Sequence, residues 1–374
     1  MYEIFGDCDS VRNMEIGSVL ELDNWNCYCY KEHNQELELP FMELSDRQYK
    51  TYFYQNARNA IEELAFYLYD TRGIEDFLIP QYICETVSAA FKRAGVKVHE
   101  YKINRQFEIN ISQIEQKIQN RTCIFIPHYF GIPITDELRD KIVDWKSRGI
   151  VIIEDITMSL LSKEKNKVGY GDYIVGSIRK WLPIPDGGFV CVADGQAYEE
   201  RKKADSGVYA NLYTIVQIMK REYVSGGEKD KSLKDNYRNY YKDAIDVLFS
   251  DYTIREMSKL SYNYILNCKY EDIIRRRILN YDYLYNNIKN HKVRCLAKRE
   301  KEYCPFMMVI VSENRDELLK YLIQQDIYCN IHWNLEKATG ETEKYLSQHM
   351  LSIPCDQRYT VQDMERVVQA VNAY

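Results

Sequence analysis

Between Gly149 and Gly188 the chain carries its densest set of groups able to do chemistry together. Two carboxylates, Glu154 and Asp155, close a short apolar run from Ile150 to Ile153. Ser177, Arg179 and Lys180 follow a second run, Tyr173 to Val175, and Asp186-Gly187-Gly188 leads into a third, Phe189 to Ala193. Runs of this kind read as buried strands, and the carboxyl ends of parallel strands are where ligands bind. An acid on one strand end, with a hydroxyl and an amine on the next, is the set needed to hold a carbonyl compound as a Schiff base. Lys is the side chain that can form that bond and then move protons at the same carbon. Glu154 faces the opposite way from Asp155 on an extended strand and reads as structural. A bare Lys is usually a solvated surface charge, and these residues alone do not exclude that for Lys180.

Several elements must position these groups. From Tyr52 the pattern becomes helical, with Ala57, Ala60, Ile61, Leu64, Ala65 and Leu68 on one face, Asn56 as N-cap and Gly73 as the stop. Strands follow near Phe77 to Ile79, Val96 to Tyr101 and Cys123 to Pro127. Helices are predicted near Glu85 to Ala94, Ile111 to Ile118 and Asp136 to Arg148. Four strand and helix alternations predict an α/β fold with a mostly parallel sheet flanked by helices. From 195 to 285 the spacing is helical, with a break at Ser225-Gly226-Gly227. From Val293 the pattern becomes α+β: a strand at Phe306 to Val311, a helix at Arg315 to Gln325, a strand at Ile327-Tyr328, then a turn and a final helix. The organisation is read as an N-terminal segment packing on the core (1–45), a large α/β domain (46–250) and a small C-terminal α+β domain (251–374).

Length and composition set bounds. A chain of 374 residues suits one large and one smaller domain, and 45% hydrophobic residues can fill both cores. A net charge of −6 gives no field favouring nucleic acid or an anionic membrane. The eleven cysteines are scattered, and no export signal opens the sequence, so reduced thiols in a cytoplasm are expected. With a mean hydropathy of −0.49, no membrane span is expected. Cys27 and Cys29 are too closely spaced for a zinc site, and no metal is expected. The 33 tyrosines point to surfaces that want an apolar ring with a polar tip.

The set Glu154-Asp155, Gly171-Asp172, Ser177, Lys180 and Asp186-Gly187-Gly188 resembles, in order, the motif of the pyridoxal-phosphate (PLP) sugar aminotransferases of the DegT/DnrJ/StrS type, which have the fold type I architecture. Asn56 to Ala60 resembles the helix start that meets the cofactor phosphate in that family, and His128 to Pro133 its turn lining the cleft. The resemblance implies that Lys180 carries PLP as a Schiff base and that Asp155 pairs with the pyridine nitrogen. Ser177 and the amides of Asn56, Ala57 and Arg58 would hold the phosphate. Cys84 or Tyr82 would lie against the ring, His128 would line the cleft, and Thr157 and Met158 would stand near the ring hydroxyl. Arg179, Arg358 and His332 are expected at the substrate.

The implied activity is amino transfer from glutamate or glutamine to a keto group of a nucleotide-linked sugar, in surface polysaccharide or related sugar biosynthesis. The implied assembly is a homodimer with shared active sites. Three departures mark a divergent member: Cys84 where an aromatic residue is usual, Met158 where a Gln is usual, and a shortened spacing from Ser177 to Lys180. Two alternatives follow. One is a PLP enzyme acting on an amino acid whose carboxylate Arg358 would grip in a bidentate contact. The other is a catalytically silent PLP-fold sensor.

Overall fold

The computed structural model describes residues 15–29, 49–162, 169–226, 230–296, 303–335 and 340–374. Its first part runs β1 (Ile16–Gly17), β2 (Tyr49–Tyr54), α1 (Ala57–Arg72), β3 (Asp76–Pro80), α2 (Glu85–Arg93), β4 (Lys97–Tyr101), α3 (Ile111–Lys117), β5 (Thr122–Pro127), α4 (Asp136–Ser147), β6 (Val151–Asp155), β7 (Tyr173–Ser177) and β8 (Gly188–Ala193). Four helices follow: α5 (Val208–Ser225), α6 (Lys231–Ser250), α7 (Lys259–Asn267) and α8 (Tyr270–Asn287). The chain closes with β9 (Arg294–Cys295), β10 (Met308–Val311), α9 (Arg315–Gln324), β11 (Ile327–Tyr328), α10 (Glu341–His349), β12 (Met350–Ile353) and α11 (Val361–Ala373).

Seven strands form the main sheet in the order β2-β8-β7-β6-β5-β3-β4. The strands from β4 to β7 pair in parallel, whereas β8 is antiparallel to both β7 and β2. Both faces are covered, which is why β5 and β6 read as continuous apolar runs. The period of two then divides each strand between two cores. Cys123 and Phe125, with Val151 and Ile153, join Leu64, Leu68 and Phe91 of α1 and α2. Ile124, Ile126 and Ile152 join Ile142 and Trp145 of α4 on the opposite side.

Helix α1 ends as its sequence predicts, with Gly73 left-handed at φ 63° and its N–H bonded to Tyr69 at 3.1 Å. Its start differs from expectation. The helical reading from Tyr52 is corrected, because residues 49 to 54 form β2, which pairs Tyr52 with Val190 and Tyr54 with Gly188 of β8. Tyr, Thr and Phe favour this pleated, half-buried edge position, and the helix begins only at Ala57.

Helices α5 and α6 pack on each other around Tyr209, Tyr213, Val216, Tyr223, Tyr237 and Leu248. Buried tyrosines recur throughout. In Tyr101 and Tyr28 the ring fills core volume while the hydroxyl donates, to the Phe125 carbonyl at 2.7 Å and to the Pro183 carbonyl at 2.7 Å. The C-terminal part holds an antiparallel sheet in the order β12-β10-β9, against which residues of α8, α9 and α11 pack. Strand β12 and helix α10 were not expected from sequence, since four-residue strands carry little period. Of the expected N-terminal segment, residues 1–14 and 30–45 lie outside the described residues, while β1 pairs in parallel with β11. Among the described residues no helix is long and apolar enough to cross a membrane.

Candidate active site

The carboxyl ends of β5, β6 and β7 open on one cavity of about 210 Å³. Pro127, Asp155 and Ser177 mark those strand ends on its wall, with the N-terminus of α1 on one side and the start of α2 on another. Asn56, Ala57, Arg58, Cys84, His128, Asp155, Thr157, Met158, Ser177, Arg179 and Lys180 all line it. Eleven residues singled out from the sequence therefore share one space.

Lys180 ends a short 3-10 turn, Ile178–Lys180, directly after β7. The turn is pinned where the Ile178 N–H donates to the Gly187 carbonyl at 2.9 Å. Burial pulls the Lys180 amine below the ordinary lysine value, against the opposing pull of Cys84 and Asp155, and the neighbouring Arg179 charge lowers it further. Asp155 moves the other way. Burial raises its carboxyl, although Thr157 and the Lys180 charge offset part of that rise. The Thr157 N–H donates to Asp155 Oδ1 at 2.9 Å and fixes the carboxylate.

Behind the turn, Asp186 is fully buried. It accepts from the Ser258 N–H at 2.9 Å, the Ser258 hydroxyl at 2.7 Å and the Ser261 hydroxyl. Burial pushes its pKa up to about 6. Gly187 adopts φ 135° and donates to the Gln55 carbonyl at 2.7 Å. Gly188 passes so close to α1 that a Cβ there would stand 2.3 Å from the Ala57 nitrogen. The Asp-Gly-Gly sequence thus brings the start of α1 against the lysine turn.

At that start Asn56 caps the helix by accepting from the Asn59 N–H at 2.9 Å. Ala57 and Arg58, in the first turn, carry N–H groups with no intrahelical acceptor, beside the positive end of the dipole. The Arg58 guanidinium donates to the Leu248 and Asp251 carbonyls, while its buried Nε has no hydrogen-bond partner among the described residues. Arg179 lies over the rings of Tyr213 and Tyr209, at 5.6 and 5.8 Å. This end of the cavity offers unpartnered donors and positive charge, which suits an anionic group such as a phosphate.

His128 is buried, with Nε2 2.8 Å from Glu154 Oε2, and its Nδ1 has no hydrogen-bond partner among the described residues. Glu154 also accepts from the Gly169 N–H at 3.2 Å and from Gly171. Although burial would raise its carboxyl, the His128 contact and these N–H groups hold it below the ordinary value. Cys84 stands at the N-cap position of α2, and its sulfur lies 3.0 Å from the Thr86 hydroxyl.

Three predicted site residues lie elsewhere. Tyr82 is fully buried away from the cavity, and its hydroxyl donates to the His332 carbonyl. The stacking expected of it is corrected: the aromatic residues lining the cavity are Tyr129, Phe249 and Trp333, and the Trp333 backbone N–H donates to the Tyr82 hydroxyl at 3.1 Å. His332 packs between Phe130 and Phe306, with Nδ1 3.0 Å from the Ser352 hydroxyl, and burial pushes its pKa down to about 3. Arg358 is not free to grip a carboxylate. It is bidentate to Asp356 at 2.8 and 2.9 Å, and its third nitrogen donates to Glu21 at 3.0 Å and the Val19 carbonyl at 2.8 Å. The sequence reading missed Trp333, and also Leu248 and Phe249 at the end of α6, which line the cavity from a helix distant in sequence.

No family model and no curated protein matches the sequence. Solved structures do match. Helicobacter pylori PseC, an aminotransferase involved in the biosynthesis of pseudaminic acid, is 14% identical with a TM-score of 0.63, over 88% of each chain. A DegT DnrJ EryC1 StrS aminotransferase from Brucella abortus is 16% identical with a TM-score of 0.59, over 86% of this chain and 85% of that one. A candidate sugar aminotransferase from Streptococcus pneumoniae, solved in its PLP form, is 14% identical with a TM-score of 0.61, over 89% of this chain and 88% of that one. The chain therefore shares the fold of the DegT/DnrJ/EryC1/StrS aminotransferases.

Proposed function

We propose that this protein is a PLP-dependent aminotransferase that moves an amino group from glutamate or glutamine to a keto group of a nucleotide-linked sugar. The observation that carries the reading is the meeting of Lys180, Asp155, Ser177 and the α1 N-terminus in one cavity. The donor set fits the cofactor. A dianionic phosphate would sit at Ala57, Arg58 and Ser177, where the first-turn N–H groups have no intrahelical acceptor and the Arg58 Nε has no partner among the described residues. Bound PLP would supply an aldehyde for a lysine amine and a ring that draws electrons from the reacting carbon.

The chain's own residues then do the following. Lys180, its pKa lowered by burial, holds more of the unprotonated amine near neutrality than a surface lysine does, so it is ready as a nucleophile and as a proton carrier. Asp155 presents the carboxylate for a protonated ring nitrogen, and Thr157 orients it. Trp333 and Cys84 bound the cavity and help keep water from the reacting atoms. His128 stands as a buried wall braced by Glu154. The sugar acceptor, a place in surface polysaccharide or related sugar biosynthesis and a homodimer with shared sites belong to this same reading and rest on the family resemblance, while a cytoplasmic location and the large and small domain division rest on the cysteine usage, length and pattern of the sequence.

The amino-acid alternative is weakened because Arg358 is committed to Asp356 and Glu21. The silent-sensor alternative keeps its motive in Cys84 and Met158. Titration of the PLP-loaded protein with glutamate separates them. The proposal expects the absorbance band near the visible edge to bleach and to return on adding a keto-sugar nucleotide. A loaded protein whose band is indifferent to every amino donor would favour the sensor.

A further inference from the structure

Arg277 of α8 is 1% exposed, yet the atoms it bonds are uncharged oxygens. Nε donates to Gln357 Oε1 at 2.8 Å, and Nη1 to the carbonyls of Phe306 at 3.0 Å and Pro305 at 3.4 Å. Its guanidinium lies 4.4 Å from the ring of Trp181, the fully buried residue that follows Lys180. Gln357 closes the arrangement by donating from Nε2 to the Trp181 carbonyl at 2.7 Å. A buried guanidinium costs more desolvation than an apolar side chain of its size, so filling volume is a poor reason for it. Holding one residue at two points is a better one, Arg277 against the Trp181 indole and Gln357 on the Trp181 main-chain carbonyl.

The indole has a second attachment. Trp181 Nε1 donates to the Thr157 carbonyl at 2.7 Å, and the N–H of that same residue holds Asp155 Oδ1 at 2.9 Å. A continuous path therefore runs from the Asp155 carboxylate through Thr157 to Trp181, and Trp181 is covalently next to Lys180. The outer end of the path is anchored on α8 and on the loop before α11.

We infer that Arg277 and Gln357 are positioning residues which, through Trp181, set the placement of the Lys180 amine relative to the Asp155 carboxylate. The inference rests on the proposed roles of those two groups. It assigns to the C-terminal elements a part in the lysine site that their distance in sequence hides. Misplacement by about 1 Å can cost 10²-fold in rate, so a small slackening of this strut should be visible in turnover.

The test uses Trp181→Phe, which keeps the ring under Arg277 but deletes the indole N–H, together with Arg277→Met and Arg277→Lys. In the PLP-loaded protein, W181F and R277M should lower kcat by about tenfold or more while KM for the amino donor stays within about threefold, and R277K should recover most of the loss. A second readout needs no cofactor. The amine is reductively methylated with carbon-13 in the apo protein, and its resonance, assigned by its absence in Lys180→Ala, is titrated with pH. Slackening the strut should move the Lys180 titration up towards that of ordinary lysines by about half a pH unit or more in W181F and R277M. Folded W181F and R277M proteins with wild-type amine titration, and with kcat within about twofold of wild type where PLP binds, would overturn the inference and leave the aminotransferase reading intact. A wild-type protein that takes up no PLP would sink that reading, and the amine titration alone would then decide the strut.

Discussion

Gly188 lies against Asn56 so closely that a Cβ on Gly188 would stand 2.1 Å from the Asn56 carbonyl carbon. The obstacle is backbone and has no rotamer to escape into. Gly188→Ala must separate the start of β8 from the start of α1. It should destabilise the fold by about 1–3 kcal/mol or more, as overpacking does. It should also weaken cofactor uptake, because the same helix start is the expected phosphate site. Urea unfolding and PLP titration check the two effects separately.

Asn56 itself supplies the cap. Asn56→Ala removes the acceptor for the Asn59 N–H and should cost about 1 kcal/mol in stability. Asn56→Ser or Asn56→Asp should retain most of it, with the carboxylate of the Asp variant opposing phosphate binding through like charge. Thermal melts with and without PLP distinguish the capping loss from the electrostatic one.

The Glu154 carboxyl gives a pH dependence whose sign is fixed. Its folded pKa lies below the ordinary 4.5, so the folded state holds fewer protons than the unfolded chain through that region. Its contribution is present above 4.5 and is lost as pH falls through the lower folded value. Glu154→Gln should therefore flatten the acid limb of the stability curve below about pH 4.5, and near neutrality should lower stability by about 1–3 kcal/mol through the poorly paired amide beside Gly169 and Gly171. Denaturant midpoints measured from pH 7 downward test both parts.

Arg358 separates a structural role from a substrate role. With its side chain 11% exposed and tied to Asp356 and Glu21, Arg358→Leu leaves two poorly solvated carboxylates unpaired and should cost about 3–5 kcal/mol. PLP affinity of the folded fraction at low temperature should stay near wild type. Loss of amino-donor binding without loss of stability would return Arg358 to the substrate.

Much of the site was legible because its residues sit where short-range pattern is strong. The runs ending at Pro127, Asp155 and Ser177 announce strand ends, and Asn56 and Gly73 bracket α1 as a cap and a stop should. What escaped was tertiary. Trp333 reaches the cavity from a stretch with no period, and Leu248 and Phe249 arrive from the far end of α6. Tyr52 to Tyr54 read as helix because the apolar face of α1 could be extended backwards, whereas pairing with β8 settled them as strand. Arg358 carried the right chemistry for a carboxylate grip, and only the fold reveals that Asp356, two residues away, already fills it.

The central claim is that the Lys180 amine and the Asp155 carboxylate serve one bound cofactor. The direct measurement is the absorbance spectrum of purified protein titrated with PLP, for wild type, Lys180→Ala and Asp155→Asn. The account predicts a saturable band near the visible edge in wild type and none in K180A. For D155N it predicts retained uptake, with transamination lowered by about two orders of magnitude or more. A wild-type protein that develops no such band, or a K180A protein whose band matches wild type, would contradict it.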